Sequence, residues 1–264
     1  MDIGSLKGKV AIITGSNGGI GRGIADTFAE NGANVVVTNE ASIDIAQKAA
    51  DEITEKSGKK ALGIKLDLLK EESIIDCIKT TLDTYGKIDI LVNNAGIQII
   101  KAVEDYTTKD WDLLTGIMFR GSFIMTRECI KAMKKRGEGG KIIFTGSVHS
   151  FYASPNKIGY IASKHGETGM VRALAVECSK DNISANLVAP GFVMTELAKK
   201  QIPERAKLNH CTEEEVKESM VQYTVDGKFT TVEEVAHAAL FFAAFEGTAL
   251  TGQSLVVSHG WCIR

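Results

Sequence analysis

The chain has almost no proline, 3 in 264 residues, and no linker rich in Pro, Gly or Ser that would cut it into two domains. It also lacks a membrane-length apolar stretch. No segment approaches the roughly 18 uninterrupted apolar residues of a spanning helix, and Met1 to Lys9 carries no apolar core of a signal peptide. Charge of one sign is missing too: a formal net charge of −2 and a pI near 6.2 give no broad electrostatic reason to bind nucleic acid or anionic membrane. The five cysteines, Cys77, Cys129, Cys178, Cys211 and Cys262, are odd in number and contain no CxxC pair, which predicts reduced thiols and a soluble, cytoplasmic protein. His149, His165, His210, His237 and His259 form no short-spaced ligand set with them, so no metal site is expected. These absences leave a small molecule as the expected partner.

What is present is a regular alternation. Val10–Thr14, Asn34–Thr38, Ala61–Lys65, Ile88–Val92, Lys141–Thr145, Ile183–Val188 and Ser254–Val257 are short β-branched runs, and amphipathic helical patterns fill the gaps. Nearly continuous apolar strands alternating with helices predict a doubly wound α/β fold, a Rossmann-type parallel sheet covered on both faces. With no internal repeat, residues 1–264 are expected to form one dinucleotide-binding catalytic domain. The stretch 194–231 is too long for an ordinary connection and is expected to be a helical lid insertion. Thr212 with Glu215 and Thr231 with Glu234 each match a capping box, the first opening a lid helix.

Thr14-Gly15-Ser16-Asn17-Gly18-Gly19-Ile20-Gly21 follows the first strand and opens a helix expected over residues 20–30. Glycines there let backbone approach a pyrophosphate, and the helix start attracts its charge. A tight turn without ligand is the plain alternative, weakened by the bracketing strand and helix. The second strand ends in Thr38, Asn39 and Glu40, with Lys48 the nearest downstream cation, an arrangement that suits the ribose hydroxyl of NAD and offers nothing to the 2′-phosphate of NADP. Arg22 is the one nearby residue that could swing toward such a phosphate.

Tyr160 and Lys164 are four residues apart, one turn on the same face of a helix expected over 158–179, and Ser147 lies thirteen residues before the tyrosine. Bringing a tyrosine from a pKa of about 10 to about 7 takes about 4 kcal/mol of selective phenolate stabilisation, which one cation at about 4 Å in an effective dielectric of about 20 can supply.

The TGxxxGxG turn, Asn93-Asn94-Ala95-Gly96, Ser147, the YxxxK pair and Pro190-Gly191 together resemble the short-chain dehydrogenase/reductase family over the whole chain. The resemblance implies hydride transfer between a nicotinamide and an alcohol or ketone carbon. On it, Ser147 holds the substrate oxygen, Tyr160 exchanges its proton, and Lys164 activates the tyrosine and binds the nicotinamide ribose. It places NAD against Thr14, Gly15, Asn17, Gly19, Ile20, Gly21, Asn39, Asp67, Leu68, Asn94, Ala95, Gly96, Tyr160, Lys164, Pro190, Gly191, Val193 and Thr195.

Within that family, Leu197 to Glu204, Thr224 to Thr231 and Gly252 to Trp261 resemble the bacterial branch that oxidises D-3-hydroxybutyrate, usually as a homotetramer. That likeness implies a small 3-hydroxy or 3-keto acid as substrate, its carboxylate held by Gln98, His149, Lys157 and Gln201. A lysine or protonated histidine with two amide donors suits that task. Taken singly, Lys157 is also a solvated charge at a helix start, His149 a backbone-satisfied histidine and the glutamines polar surface. Trp261 is either an apolar wall behind the substrate methyl or part of a subunit contact.

One position departs from the pattern. Seven residues after Trp111, the family usually carries an asparagine that supports a kinked backbone and a proton-relaying water, and this chain has Met118. A thioether donates no hydrogen bond. The expectation is an intact hydride-transfer site with an impaired or rerouted proton relay. Two alternatives stand beside it: an NADPH-dependent 3-oxoacyl-thioester reductase, disfavoured by Glu40 and the carboxylate-binding group, and a protein that binds NAD and a hydroxy acid with little turnover.

Overall fold

The computed structural model describes residues 5–261 and 263, apart from the side chains of Leu197, Gln201, Glu204 and Leu208. Seven strands form one parallel sheet: β1 (Val10–Ile13), β2 (Asn34–Asn39), β3 (Ala61–Lys65), β4 (Ile90–Asn93), β5 (Gly140–Thr145), β6 (Ile183–Pro190) and β7 (Ser254–Val257). Their spatial order is β3-β2-β1-β4-β5-β6-β7. Each strand falls where the β-branched runs predict it, with ends moved by one or two residues. β6 continues past Val188 to Pro190 because its register with β7 holds as far as Pro190 opposite Val257.

One face of the sheet is covered by α1 (Gly19–Glu30), α2 (Ile43–Ser57) and α9 (Val232–Ala244), whose Ile24, Phe28, Ala50, Ile53, Ala239 and Phe242 pack on it. The other carries α3 (Glu71–Tyr85), α5 (Ser122–Arg136) and α6 (Ile158–Cys178), through Ile74, Ile78, Met125, Cys129 and Val171. Covering both faces is why all eight residues of β6 are buried. None of the described helices is long and apolar enough to cross a membrane.

Two further helices, α7 (Glu196–Asn209) and α8 (Glu213–Val221), follow β6, and their Ile202, Ala206, Val216 and Met220 form a small core of their own. Thr212 caps α8 and Thr231 caps α9, each with the reciprocal glutamate bond of a capping box. Before α5, α4 (Thr108–Thr115) runs into a π-helical turn at Gly116–Gly121 that contains Met118. The widened turn persists without an asparagine: Ser122 Oγ donates to the carbonyls of Met118 (2.6 Å) and Phe119 (3.1 Å).

The strand order reverses between β1 and β4, so a crevice opens beyond their carboxyl ends. There the chain is tied across the sheet. Thr14 Oγ1 accepts from the amides of Asn94 (2.9 Å) and Ala95 (3.0 Å), while Asn94 Nδ2 donates to the carbonyls of Thr14 (2.9 Å) and Gly15 (3.2 Å). Gly21 seats α1 against this knot, and a Cβ on it would collide with Asn94 Nδ2 and the Gly15 carbonyl. Gly21→Ala is therefore expected to destabilise the fold by about 1–3 kcal/mol through overpacking, visible as a lower denaturation midpoint at unchanged m-value.

Candidate active site

The glycine turn is shaped to receive an anion. Gly15 (φ +62°) and Gly19 (φ +56°) occupy the left-handed region, which places backbone where side chains would otherwise stand. The N-cap of α1 is Gly18, which offers no side-chain acceptor to the first helical amides. Unpaired amides at a helix start favour phosphate. Ser16 is turned inward, donating to the Ile13 carbonyl (2.6 Å) and accepting from the Thr38 amide (3.1 Å). The turn therefore has room for a dinucleotide's pyrophosphate, with Thr195 of the α7 cap packed beside Gly19.

At the end of β2, Asn39 is buried and its Oδ1 accepts from the amides of Ala41 and Ser42 (2.9 Å each), so it shapes the bend where Glu40 stands exposed. Arg22 is not free to turn this way. Its guanidinium pairs with Asp26 (3.0 Å) and Glu52 (2.8 Å). Asp67 binds the Leu69 amide (3.0 Å) and Lys70, and Leu68 is buried against Gly121. Gly96 packs on the Met118 thioether, which is itself buried.

Tyr160 and Lys164 both lie on α6, as their spacing predicts. Lys164 is 4 % exposed, with its Nζ 5.8 Å from the centre of the Tyr160 ring. The ammonium donates to the Thr145 carbonyl at the end of β5 (2.7 Å) and to both oxygens of Glu167 (3.1 and 3.0 Å). Ser147 caps a 3-10 turn at Val148–Ser150 and its Oγ accepts from the His149 amide (3.1 Å). One lone pair is thereby engaged, and the hydroxyl proton stays available to a ligand.

Gln98, Ser147, His149, Lys157 and Tyr160 line one pocket with Pro190, Gly191, Val193 and Thr195. The described structure thus gathers five groups of the expected substrate and catalytic sets from three chain segments. Gln201 sits in α7, but its side chain lies outside the described residues. Trp261 stands beside His149, edge-on to His149 (6.2 Å), Tyr152 (5.9 Å) and Tyr223 (6.2 Å).

The charge on this pocket differs from expectation. His149 is not a cation: desolvation, reinforced by the Lys157 charge, pushes its pKa down to about 4. Its ring is a neutral link, with Lys157 Nζ 3.2 Å from Nε2 and the Tyr152 carbonyl 3.3 Å from Nδ1. Since an ammonium only donates, Nε2 is the acceptor and Nδ1 carries the proton. Lys157, 6 % exposed, is lowered by burial to about 8. Arg205 is the residue that sequence reasoning missed. It lines the same pocket, and its guanidinium and the Lys157 ammonium lie 5.8 and 5.6 Å from the Phe192 ring centre. Arg205 stands four residues after Gln201 on α7, a same-face spacing that was readable from the chain. Arg120 pairs with Glu71 (3.7 Å) at the surface of α3.

The chain belongs to the short chain dehydrogenases, whose family pattern it matches over residues 9–206. A D-beta-hydroxybutyrate dehydrogenase of Rhizobium meliloti is 38% identical, covering 96% of this chain and 98% of that one. A protein of the same name from Cupriavidus necator is 34% identical over 97% of this chain and 98% of its own length. Among solved structures, a 3-ketoacyl-(acyl-carrier-protein) reductase from Brucella melitensis complexed with NADH superposes with a TM-score of 0.86 at 30% identity, covering 97% of this chain and 99% of that one.

Lys157 carries its proton below a pKa of about 8 and loses it above, whereas His149 stays neutral from about pH 5 upward. Binding of a small carboxylate, followed by Trp261 fluorescence, is expected to be level between about pH 5 and 7 and to weaken above pH 8. Lys157→Arg should hold binding to higher pH.

Proposed function

We propose that the protein catalyses the reversible oxidation of D-3-hydroxybutyrate to acetoacetate with NAD as hydride acceptor. The observation that carries this reading is one pocket lined by Ser147 and Tyr160 together with a buried cation, Lys157, and a half-buried one, Arg205, beside the glycine turn. An alcohol oxygen and a carboxylate are thereby recognised a few atoms apart, which is the outline of a short 3-hydroxy acid. Bound NAD supplies the hydride acceptor. The chain's own residues do the rest. Lys157 and Arg205 neutralise the carboxylate, Gln98 and His149 orient it, Ser147 donates to the 3-oxygen, and Tyr160 takes its proton with Lys164 as the supporting charge.

NAD is favoured over NADP because Arg22 is engaged by Asp26 and Glu52, leaving exposed Glu40 to meet the adenosine ribose. A thioester reductase needs neither Lys157 nor Arg205 in the pocket, since a thioester carries no carboxylate at that position. We assign α7 and α8 the role of a lid, because Arg205 and Ala198 of α7 and Met220 of α8 border the pocket.

The test is nicotinamide reduction with D-3-hydroxybutyrate, with the L-enantiomer and NADP as controls. Rapid D-selective, NAD-dependent turnover is expected, and NADPH-dependent reduction of a 3-oxoacyl thioester in its place would overturn the reading. Binding of NAD and acid without turnover would move the little-turnover alternative to the front. Tyr160→Phe should lower kcat by about 10² to 10⁴. Arg205→Leu and Lys157→Ala should each raise KM for free acids by about tenfold or more, equivalent to about 1.4 kcal/mol per decade, while a neutral ester of the same acid is used equally by all three proteins. Met118→Asn should change turnover and its pH dependence, since it restores a hydrogen-bonding side chain beside Gly96.

A further inference from the structure

Lys164 has three N–H donors, and all three are taken: one by the Thr145 carbonyl and two by the oxygens of Glu167. Glu167 is 2 % exposed and Lys164 4 %, so the pair is sealed from water. An ionised Glu167 does two things to the tyrosine chemistry at once. Its negative charge offsets the ammonium's field at Tyr160, and its second oxygen occupies an N–H that a ligand hydroxyl would need. A protonated Glu167 does neither. Its hydroxyl oxygen no longer serves as a strong acceptor, one N–H is released, and the full positive charge faces the phenol.

We infer that Glu167 is a positioning residue that sets, through Lys164, the pH at which Tyr160 acts as base. The inference rests on the reading of Tyr160 as the acid/base. Among the described residues, Lys164 is the one charge that acts on the Glu167 carboxyl. From the π-helical turn, the uncharged Phe119 lies against Gly166, between the two in sequence. His149, edge-on to the Tyr160 ring at 6.0 Å, is neutral because burial lowers it to about 4. Burial, the dominant influence, raises the Glu167 carboxyl to about 7 against the pull of Lys164. Burial therefore makes the protonated form far more accessible here than for a glutamate in water.

The experiment is an ultraviolet difference titration of tyrosinate in the full chain with NADH bound, with Tyr160→Phe subtracted to isolate Tyr160. In Glu167→Gln the lysine charge is no longer offset, so the Tyr160 phenolate should form about one pH unit lower than in wild type. Glu167→Asp, which keeps the charge, should stay near the wild-type position. Glu167→Met, of similar bulk and uncharged, should shift in the same direction as Glu167→Gln and stands in for it should that variant not fold. The acidic limb of kcat/KM for D-3-hydroxybutyrate should move by the same amount. Coincident phenolate titrations in wild type and the uncharged variants would overturn the inference whether or not hydroxybutyrate is turned over. A phenolate shift in a protein that turns over no 3-hydroxy acid would sustain the role of Glu167 and overturn the proposed substrate.

Discussion

A lysine ammonium with almost no solvent exposure must be satisfied by protein, and Lys164 is satisfied by one strand end and one carboxylate. Leaving such a charge unpaired would be costly by several kcal/mol, so the contact fixes where α6 lies against β5. Everything at the site is measured from that position. Tyr160 stands one turn before the lysine on the same helix, while Ser147 leaves the same strand two residues after Thr145 and turns its Oγ toward the pocket. The parallel sheet supplies the frame. Because both faces are covered, polar chemistry is confined to the carboxyl ends of the strands, where backbone groups run out of partners.

The pocket beside Tyr160 shows how burial redistributes charge. His149 and Lys157 are drawn together on one side of Phe192 with Arg205 on the same ring. Two cations and an imidazole in so little water cannot all be charged cheaply. Histidine, the weakest base of the three, gives up its proton first and becomes an oriented acceptor for Lys157. The result is a site with strong positive potential that keeps a neutral hydrogen-bonding group beside it, a combination suited to holding a carboxylate while leaving the neighbouring alcohol uncharged.

Met118 illustrates a separation between backbone shape and side-chain chemistry. The widened turn at Gly116–Gly121 survives with a methionine because Ser122 Oγ takes the carbonyls that the geometry frees. The same thioether fills the space at Gly96, so that corner is closed by apolar packing where a hydrogen-bonding side chain would have served a relay.

Much was legible in the chain before any coordinates. Strand positions followed from β-branched runs, the α8 and α9 starts from Thr212 and Thr231, and the Tyr160–Lys164 pairing from the spacing along one helix, because these depend on local geometry that repeats with a fixed period. What required tertiary structure was everything set by burial and by contacts between distant segments. Arg205 reaches the pocket only because α7 follows β6 back to it, Arg22 is held by Glu52 of α2, and the protonation of His149 depends on water that other elements exclude. Glu167 is a polar letter in an amphipathic helix until the sheet closes over it and makes it the partner of Lys164. Sequence by itself determined the strands, the helix starts and the pairing of Tyr160 with Lys164; the fold decided which distant residues meet and what charge they carry, because solvation and long-range Coulomb interaction are properties of the enclosed volume and not of the chain order.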